Sequence, residues 1–120
     1  METVVISPSL ARYREIIKTI LTRYHAILSR KPKDGIERSL ILDENRDHYM
    51  LMTVGWGANY ERIYRTPIYV RLHNGKFWIE EDSTEQGIAT DLLAAGVPHS
   101  DIVLAFYPLP MRQMSEFAVE

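Results

Sequence analysis

The chain has no cysteine and no long uncharged apolar run. Without cysteine it can form neither a disulfide framework nor a thiolate metal site, which fits a reducing compartment. A membrane-spanning helix needs roughly 18 or more apolar residues in succession. The first seven residues also lack the basic and apolar regions of a signal peptide. We therefore expect a cytoplasmic protein that does not contact a membrane.

An excess of positive charge is also absent. The chain carries 14 Lys and Arg residues against 16 Asp and Glu, for a net charge of −2. A free-standing DNA-binding domain is more often basic, because neutralising phosphates supplies most of its non-specific affinity. We therefore expect contact with DNA to be weak or indirect, although the net charge does not exclude a local basic face. The length predicts one domain that spans residues 1–120.

Motifs of known catalytic sites are missing as well. The sequence has no phosphate-binding loop, no nucleophile elbow and no Glu-x-Lys of the kind common in metal-dependent nucleases. No two of the four histidines have the spacing with which one helix binds a metal. Glu80, Glu81, Asp82 and Glu85 form an acidic cluster, which suits either a divalent cation or, as we prefer, the start of a helix. The residues thus predict no catalytic site, no metal and no cofactor.

The first element that the sequence predicts is a long amphipathic helix near the start of the chain. Ser7-Pro8 predicts its start, and Ser29 lies near its end. Apolar residues recur in it at spacings of three and four, which predicts one stripe that packs on a sheet. The stripe consists of Leu10, Tyr13, Ile16, Ile17, Ile20, Leu21, Tyr24, Ile27 and Leu28.

The rest of the chain predicts strands at 36–43, 47–56, 60–73, 76–82 and 102–106. Asn74-Gly75 predicts a tight hairpin turn, and Pro67 indicates an edge position or a bulge. A capping box over 82–85 predicts a second helix at 84–95, which Gly96 ends. The prediction is an α+β fold, in which helices 8–29 and 84–95 cover one face of an antiparallel sheet.

Basic and aromatic residues alternate along the predicted strands. On a sheet they can stack bases and hold phosphates, anchor a protein–protein interface, or form the solvated face of a half-buried sheet. The net negative charge favours a protein partner over DNA. The candidate contact residues are Trp56, Arg62, Tyr64, Arg65, Tyr69, Arg71, Lys76 and Trp78.

Short motifs follow one another in a particular order from about Tyr13 to Val119. They are Tyr13-Arg14-Glu15-Ile16-Ile17, Asp47-His48-Tyr49, Val54-Gly55-Trp56, Asn74-Gly75-Lys76-Phe77-Trp78-Ile79, Asp82, Thr84-Glu85, Gly87-Ile88-Ala89, Gly96-Val97-Pro98, Asp101-Ile102-Val103-Leu104, Phe106, Arg112 and Phe117-Ala118-Val119. In this order and spacing they resemble the XisI family, the excision-controlling factors of the cyanobacterial fdxN element. The chain departs from that family at Ser83, where glycine is frequent, at Tyr69, where histidine is frequent, and at 107–109, which replaces a His-Ser-Pro-like segment.

The resemblance implies an α+β fold, a cytoplasmic setting and a part in programmed excision of a DNA element. In that system a separate recombinase cuts and rejoins the DNA, and the family acts beside a nuclease-like companion, XisH. No catalytic residue is transferred by the resemblance. The leading hypothesis is a non-enzymatic accessory factor that binds an XisH-like protein. The alternatives are direct DNA binding through the strands at 60–78 and a metal-dependent enzyme at the acidic cluster. The sequence is also compatible with a homo-oligomer.

Overall fold

The structure is a computed structural model that describes residues 8–120, with side chains from Leu10 onward. The predicted helix cap at Ser7 lies outside the described residues. In chain order the elements are α1 (Pro8–Ser29), β1 (Ile36–Asp43), β2 (His48–Trp56), β3 (Arg62–His73), β4 (Lys76–Asp82), α2 (Ile88–Ala94), a 3-10 turn (His99–Asp101), β5 (Ile102–Leu104) and α3 (Leu109–Arg112). None of these helices is long and apolar enough to cross a membrane.

The five strands form one sheet in the order β1-β2-β3-β4-β5. The first four are antiparallel neighbours, as predicted, whereas β5 runs parallel to β4. A parallel neighbour requires a crossover connection, and the segment containing α2 supplies it. The sheet is therefore mostly antiparallel and mixed at one edge, and the predicted α+β class is confirmed.

The core lies between α1, α2 and one face of the sheet. The apolar stripe of α1 packs there, which confirms the predicted role of this helix, except at Ile27. That residue is 49% exposed and lies outside the core. The Tyr13 ring lies 4.7 Å from the Phe77 ring between their centroids. The buried residues of the hydrophobic core are Tyr13, Ile17, Ile20, Leu21, Tyr49, Leu51, Ile68, Val70, Leu72, Phe77, Ile79, Ile88, Leu92, Val97 and Ile102.

Two tyrosine hydroxyls connect α1 to the second half of the chain. The Tyr13 hydroxyl donates to Asp101 Oδ2 at 2.5 Å, and the Tyr24 hydroxyl donates to Asp91 Oδ2 at 2.5 Å. Burial, followed by the hydrogen bond to the carboxylate, raises the pKa of each tyrosine to about 12. Both hydroxyls therefore keep their protons and can donate throughout the physiological range.

Pro67 marks a bulge in an interior strand. The β2–β3 register shifts between Leu51 and Thr53, so that Thr66 and Pro67 together oppose Met52. A bulge adds one residue to one strand, so the alternation of side chains between the two faces on one side of the bulge is reversed relative to the other side. This local shift decides which side of the sheet each residue of 62–65 occupies.

The start of α2 differs from the prediction. The helix begins at Ile88 rather than at residue 84, because Gly87 has a φ of 90° that no helical residue adopts. Asp82 Oδ2 accepts the Ile88 N–H at 2.7 Å, and its Oδ1 accepts the Thr84 N–H at 2.9 Å. The predicted capping box is thus wrong: Asp82 caps a helix that begins six residues later, and Glu85 is exposed.

The ends of the other elements follow local backbone geometry. The left-handed φ values of Asn74 (53°) and Gly75 (75°) confirm the predicted hairpin turn, and Gly96 (φ 93°) lies just past the end of α2, as predicted. Asp47 and Tyr60 have positive φ values of 57° and 62°, which a strand does not accommodate. β2 therefore begins at His48, one residue later than predicted, and β3 begins at Arg62, two residues later than predicted. β5 ends at Leu104 instead of residue 106.

An ion pair holds α1 to the turn between β1 and β2. Arg14 Nε and an Arg14 terminal nitrogen donate to the two carboxylate oxygens of Asp47 at 2.9 and 3.0 Å. The Tyr49 hydroxyl donates to Asp47 Oδ1 at 2.7 Å. The hydrogen bond from Arg14 holds the pKa of Asp47 below its usual value of 3.8.

We predict that the Arg14–Asp47 pair makes the protein less stable at acidic pH. A carboxylate with a lowered folded-state pKa stabilises the fold above its unfolded pKa, and that contribution is lost as the pH falls through the folded pKa. As the pH is lowered below 3.8, the usual pKa of Asp47, the free energy of unfolding measured in urea should therefore decrease. In Arg14→Gln this decrease should be smaller. Lys31→Gln, in the exposed linker, is the control. An Arg14→Gln profile parallel to that of the parent would contradict the prediction.

Candidate protein-interaction surface

The sheet has a second face, opposite α1, on which neither α1 nor α2 lies. We call it the open face. Of the described residues outside the sheet, the C-terminal segment 109–120 reaches it, on the side of β5. Its apolar and aromatic side chains from β1 to β4 are Ile41, Met50, Met52, Val54, Trp56, Tyr64, Tyr69 and Trp78, all of them exposed or half-buried.

The exposed part of the open face is formed by the ends of β2 and β3. Val54 pairs with Tyr64 and Trp56 pairs with Arg62, so these four side chains share one side of the sheet. Trp56 is 55% exposed and Tyr64 is 69% exposed. The Arg62 guanidinium carbon lies 5.2 Å from the centroid of the Trp56 ring, and Arg62 Nη1 donates to the Gly55 carbonyl at 3.2 Å. This arrangement presents two aromatic rings and one cation to solvent.

The cations further along the open face already have partners. Arg71 Nε lies 2.9 Å from Glu80 Oε2, and the Lys76 ammonium contacts the backbone oxygen of Glu120. Trp78 lies between two guanidinium groups, with Arg71 at 5.7 Å and Arg112 at 5.9 Å from its ring centroid. In this half of the face the charge of Arg71 is therefore paired, and Lys76 is held by a backbone oxygen without losing its charge.

Tyr69 lies between the two halves and is half-buried. Its hydroxyl shares a hydrogen bond of 2.6 Å with His48 Nδ1, and the two rings are 5.8 Å apart. Burial raises the pKa of Tyr69 above the ordinary tyrosine value. The side chain is thus held in place by β2 and offers only part of its ring to a partner.

Arg65 lies on the other face of the sheet. It pairs with Thr53, which is buried on the side of α1. Because of the bulge at Pro67, Arg65 borders a groove near the last turns of α1, together with Ile27 and Leu28. The structure therefore brings seven of the eight predicted contact residues to the open face and separates Arg65 from them.

The acidic cluster does not form one site. Glu80 pairs with Arg71, and both oxygens of Asp82 accept backbone N–H groups. Glu81 and Glu85 are exposed. Within residues 8–120, no group of three His, Asp or Glu side chains could hold a metal ion.

Sequence reasoning missed Met50 and Met52 in the centre of the open face. Between them and on either side, Tyr49, Leu51 and Thr53 alternate as buried residues. A strand that is apolar at both odd and even positions has two faces suited to packing, and this signal was available in the run from Tyr49 to Val54. In the described part of the chain, helices cover one of those faces.

The family model described as "XisI protein" matches residues 8–119 of this chain. The chain belongs to the XisI family. This confirms the resemblance that the order and spacing of the motifs indicated. No curated protein matches the chain.

Two solved structures are similar to this XisI-family chain over nearly its whole length. One is described as the fdxN element excision controlling factor XisI from Anabaena variabilis. It is 38% identical, with a TM-score of 0.82, and the match covers 93% of this chain and 99% of that one. The other is described as a XisI-like protein from Anabaena variabilis, 37% identical, with a TM-score of 0.84 and coverage of 92% and 99%. The α+β fold of this chain is therefore that of the XisI structures.

Proposed function

We propose that this protein is an accessory factor in programmed excision of a DNA element of the fdxN type. It catalyses no step itself and acts by binding a protein companion, an XisH-like nuclease-related protein, through the open face. The solved relative described as an fdxN element excision controlling factor supports the first part. The second part depends on the composition and geometry of the open face.

The observation that carries the proposal is a sheet face that no helix among residues 8–120 covers and that has the residues of a protein interface. Exposed Trp56 and Tyr64 flank Arg62, and half-buried Met50 and Met52 lie beside them on β2. Tyr, Trp, Met and Arg are the residues enriched at interfaces, and aromatic anchors supply most of the binding energy. Burying this face against a partner would also remove from water the apolar side of β2 that none of the described helices covers.

The charges on this face favour a protein over DNA. Arg71 has Glu80, Lys76 has a backbone oxygen, and Arg65 lies on the opposite side. Arg62, which stacks on Trp56, and Lys76, whose charge a backbone oxygen does not cancel, are the remaining cations among the four predicted for phosphate contact. Since non-specific affinity for DNA grows with the number of phosphates neutralised, two cations on a protein of net charge −2 support little binding.

We expect Tyr64→Ala to weaken retention of the co-expressed XisH-like companion more than Arg62→Ala does. Truncation of a buried aromatic anchor costs about 2 kcal/mol or more, which is roughly 30-fold in Kd. A rim charge contributes less, because solvent screens it. The measurement is a pull-down followed by titration of the purified pair. Tyr107→Ala, a partly exposed tyrosine beyond β5, is the matched control and should bind like the parent.

DNA-shift assays over a series of salt concentrations test the alternative. The lone protein should bind duplex DNA only as non-specific binders do, at a Kd of roughly 10⁻⁴–10⁻⁶ M at physiological salt. Sub-micromolar binding that loses affinity steeply with salt, with no companion retained, would replace the partner proposal by direct DNA binding. Cleavage of DNA with magnesium or manganese that Glu81→Ala abolishes would overturn the non-enzymatic part.

A further inference from the structure

The β2–β3 hairpin extends beyond the strand on its other side. β3 pairs with β2 from Arg62 onward, but its pairing with β4 begins only at Ile68. Beyond that point a backbone bond from the Ser83 N–H to the Pro67 carbonyl, 2.8 Å, ends the contact. Residues 61–65 therefore form an arm with one side free of strand pairing within the described part of the chain.

The free side of the arm carries unpaired backbone groups. The Glu61 carbonyl accepts the Gly57 N–H at 2.8 Å, so residue 61 faces β2. Because hydrogen bonding alternates along an antiparallel strand, Ile63 and Arg65 also face β2, whereas Arg62 and Tyr64 direct their N–H and C=O groups outward. An edge of this kind pairs readily with another strand unless proline, a bulge or charged side chains of one sign block it. The arm has no proline, lysine or bulge between residues 61 and 65, since the bulge begins at Thr66, and its charged side chains, Glu61, Arg62 and Arg65, are of both signs.

The sequence of the arm, Glu61-Arg62-Ile63-Tyr64-Arg65, is complementary to itself in the antiparallel direction. Two arms that place Arg62 opposite Tyr64 of the second copy bring their outward backbone groups into register. The same register sets Glu61 opposite Arg65 of the second copy and Ile63 opposite Ile63. One carboxylate oxygen of Glu61, Oε2, accepts the Asn59 N–H of its own turn at 2.9 Å, so the pairing uses the negative charge of a carboxylate that this bond holds at the base of the arm. Opposite charges and apolar side chains directly across a ladder stabilise strand pairing. A contact of this kind is isologous, as a two-fold dimer requires.

We infer that the arm is a dimerisation element through which two copies pair β3 to β3 into one continuous sheet. The occupant of the free edge is a second copy of this chain, because the charges of residues 61–65 match that occupant in both directions at once. The other two edges are partly occupied. Ala118 bridges to Val103 outside β5, and His25 Nε2 lies 3.1 Å from the Arg38 carbonyl on β1. The inference does not depend on which partner the open face binds.

The dimer would also enlarge the open face. Tyr64 and Trp56 lie on the same side of the sheet as Arg62, so pairing two arms places the exposed aromatics of both copies on one surface. Trp56 takes no part in the backbone pairing. Trp56→Ala should therefore weaken retention of the companion without changing self-association, which separates the two proposals experimentally.

The test measures the oligomeric state of the full chain by sedimentation equilibrium. A short two-arm contact buries less than a standard interface, so we expect a dissociation constant on the order of micromolar. Glu61→Arg alone places like charges opposite each other twice, and so does Arg65→Glu alone. Each should raise the dissociation constant about tenfold or more. The double variant Glu61→Arg/Arg65→Glu restores both pairs and should dimerise like the parent.

Mixing the two single variants gives a second charge test. In the heterodimer, one end sets the two substituted side chains opposite each other, and the other end sets the native Glu61 of one copy opposite the native Arg65 of the other. Opposite charges therefore meet at both ends, so the heterodimer should form in preference to either homodimer. Glu37→Arg, an exposed charge change on β1, is the control and should leave the dissociation constant unchanged.

A backbone variant tests the same edge without altering its charge. In Tyr64→Pro the lost N–H is one that faces the free edge, so the ladder to β2 is kept and pairing of the arms is blocked. Melting curves of every variant identify any that fail to fold, and the charge-restoring double variant remains decisive in that case. A parent chain that is monomeric at the highest concentration overturns the inference. So does a dimer that Tyr64→Pro and the single reversals leave intact, since such a dimer would use another surface.

Discussion

We expect Ile17→Asp to leave the protein largely unfolded at room temperature. Ile17 is fully buried, in the middle of the α1 stripe that packs on the sheet. A carboxylate there would have no partner, and burying an unpaired charge or its protonated form costs several kcal/mol. That cost is a large part of the roughly 5–15 kcal/mol by which domains of this size are stable. Circular dichroism and urea denaturation measure the effect.

Thr19→Asp supplies the control on the same helix. Thr19 is exposed, so the added carboxylate stays in water and the change should stay within about 0.5 kcal/mol. A soluble Ile17→Asp protein that melts with the same midpoint as the parent would contradict the packing of α1 on the sheet.

The second large effect concerns the loop between β4 and α2. Asp82 accepts the N–H groups of Thr84 and Ile88 and the Thr84 hydroxyl, at 2.9, 2.7 and 2.6 Å. Asp82→Ala leaves the first N–H of the α2 helix without its acceptor and releases the loop that holds it. Caps and charged hydrogen bonds of this kind contribute about 1–3 kcal/mol, so we expect a loss of about 2–3 kcal/mol in urea unfolding.

Glu85→Ala, which removes the side chain that a capping box would need, is the matched control for Asp82→Ala. Glu85 is exposed and no hydrogen bond joins it to the backbone of Asp82 among the described residues. Its substitution should change the free energy of unfolding by less than about 0.5 kcal/mol. Comparable losses in the two variants would restore the capping box that the sequence predicted.

Features that depend on a few neighbouring residues could be predicted from the sequence. The stripe of α1, the turn at Asn74-Gly75 and the stop at Gly96 each follow from a local period or from the φ values that a residue type tolerates. Membership of the XisI family was predictable for a related reason, because the order and spacing of its motifs are properties of the chain itself. The same holds for the net charge of −2, which argued against DNA as the main partner.

The tertiary structure decided which of the candidate residues share a surface. Arg65 moved to the opposite face because a single bulge at Pro67 reverses the alternation of side chains. Arg71 is not free to contact a phosphate, because β4 places Glu80 beside it and the two side chains form an ion pair. The pairing that makes β5 parallel, and the free edge at residues 61–65, depend on where neighbouring strands begin and end. Strand register, pairing and edges are relations between segments distant in sequence, so no local pattern in either segment specifies them.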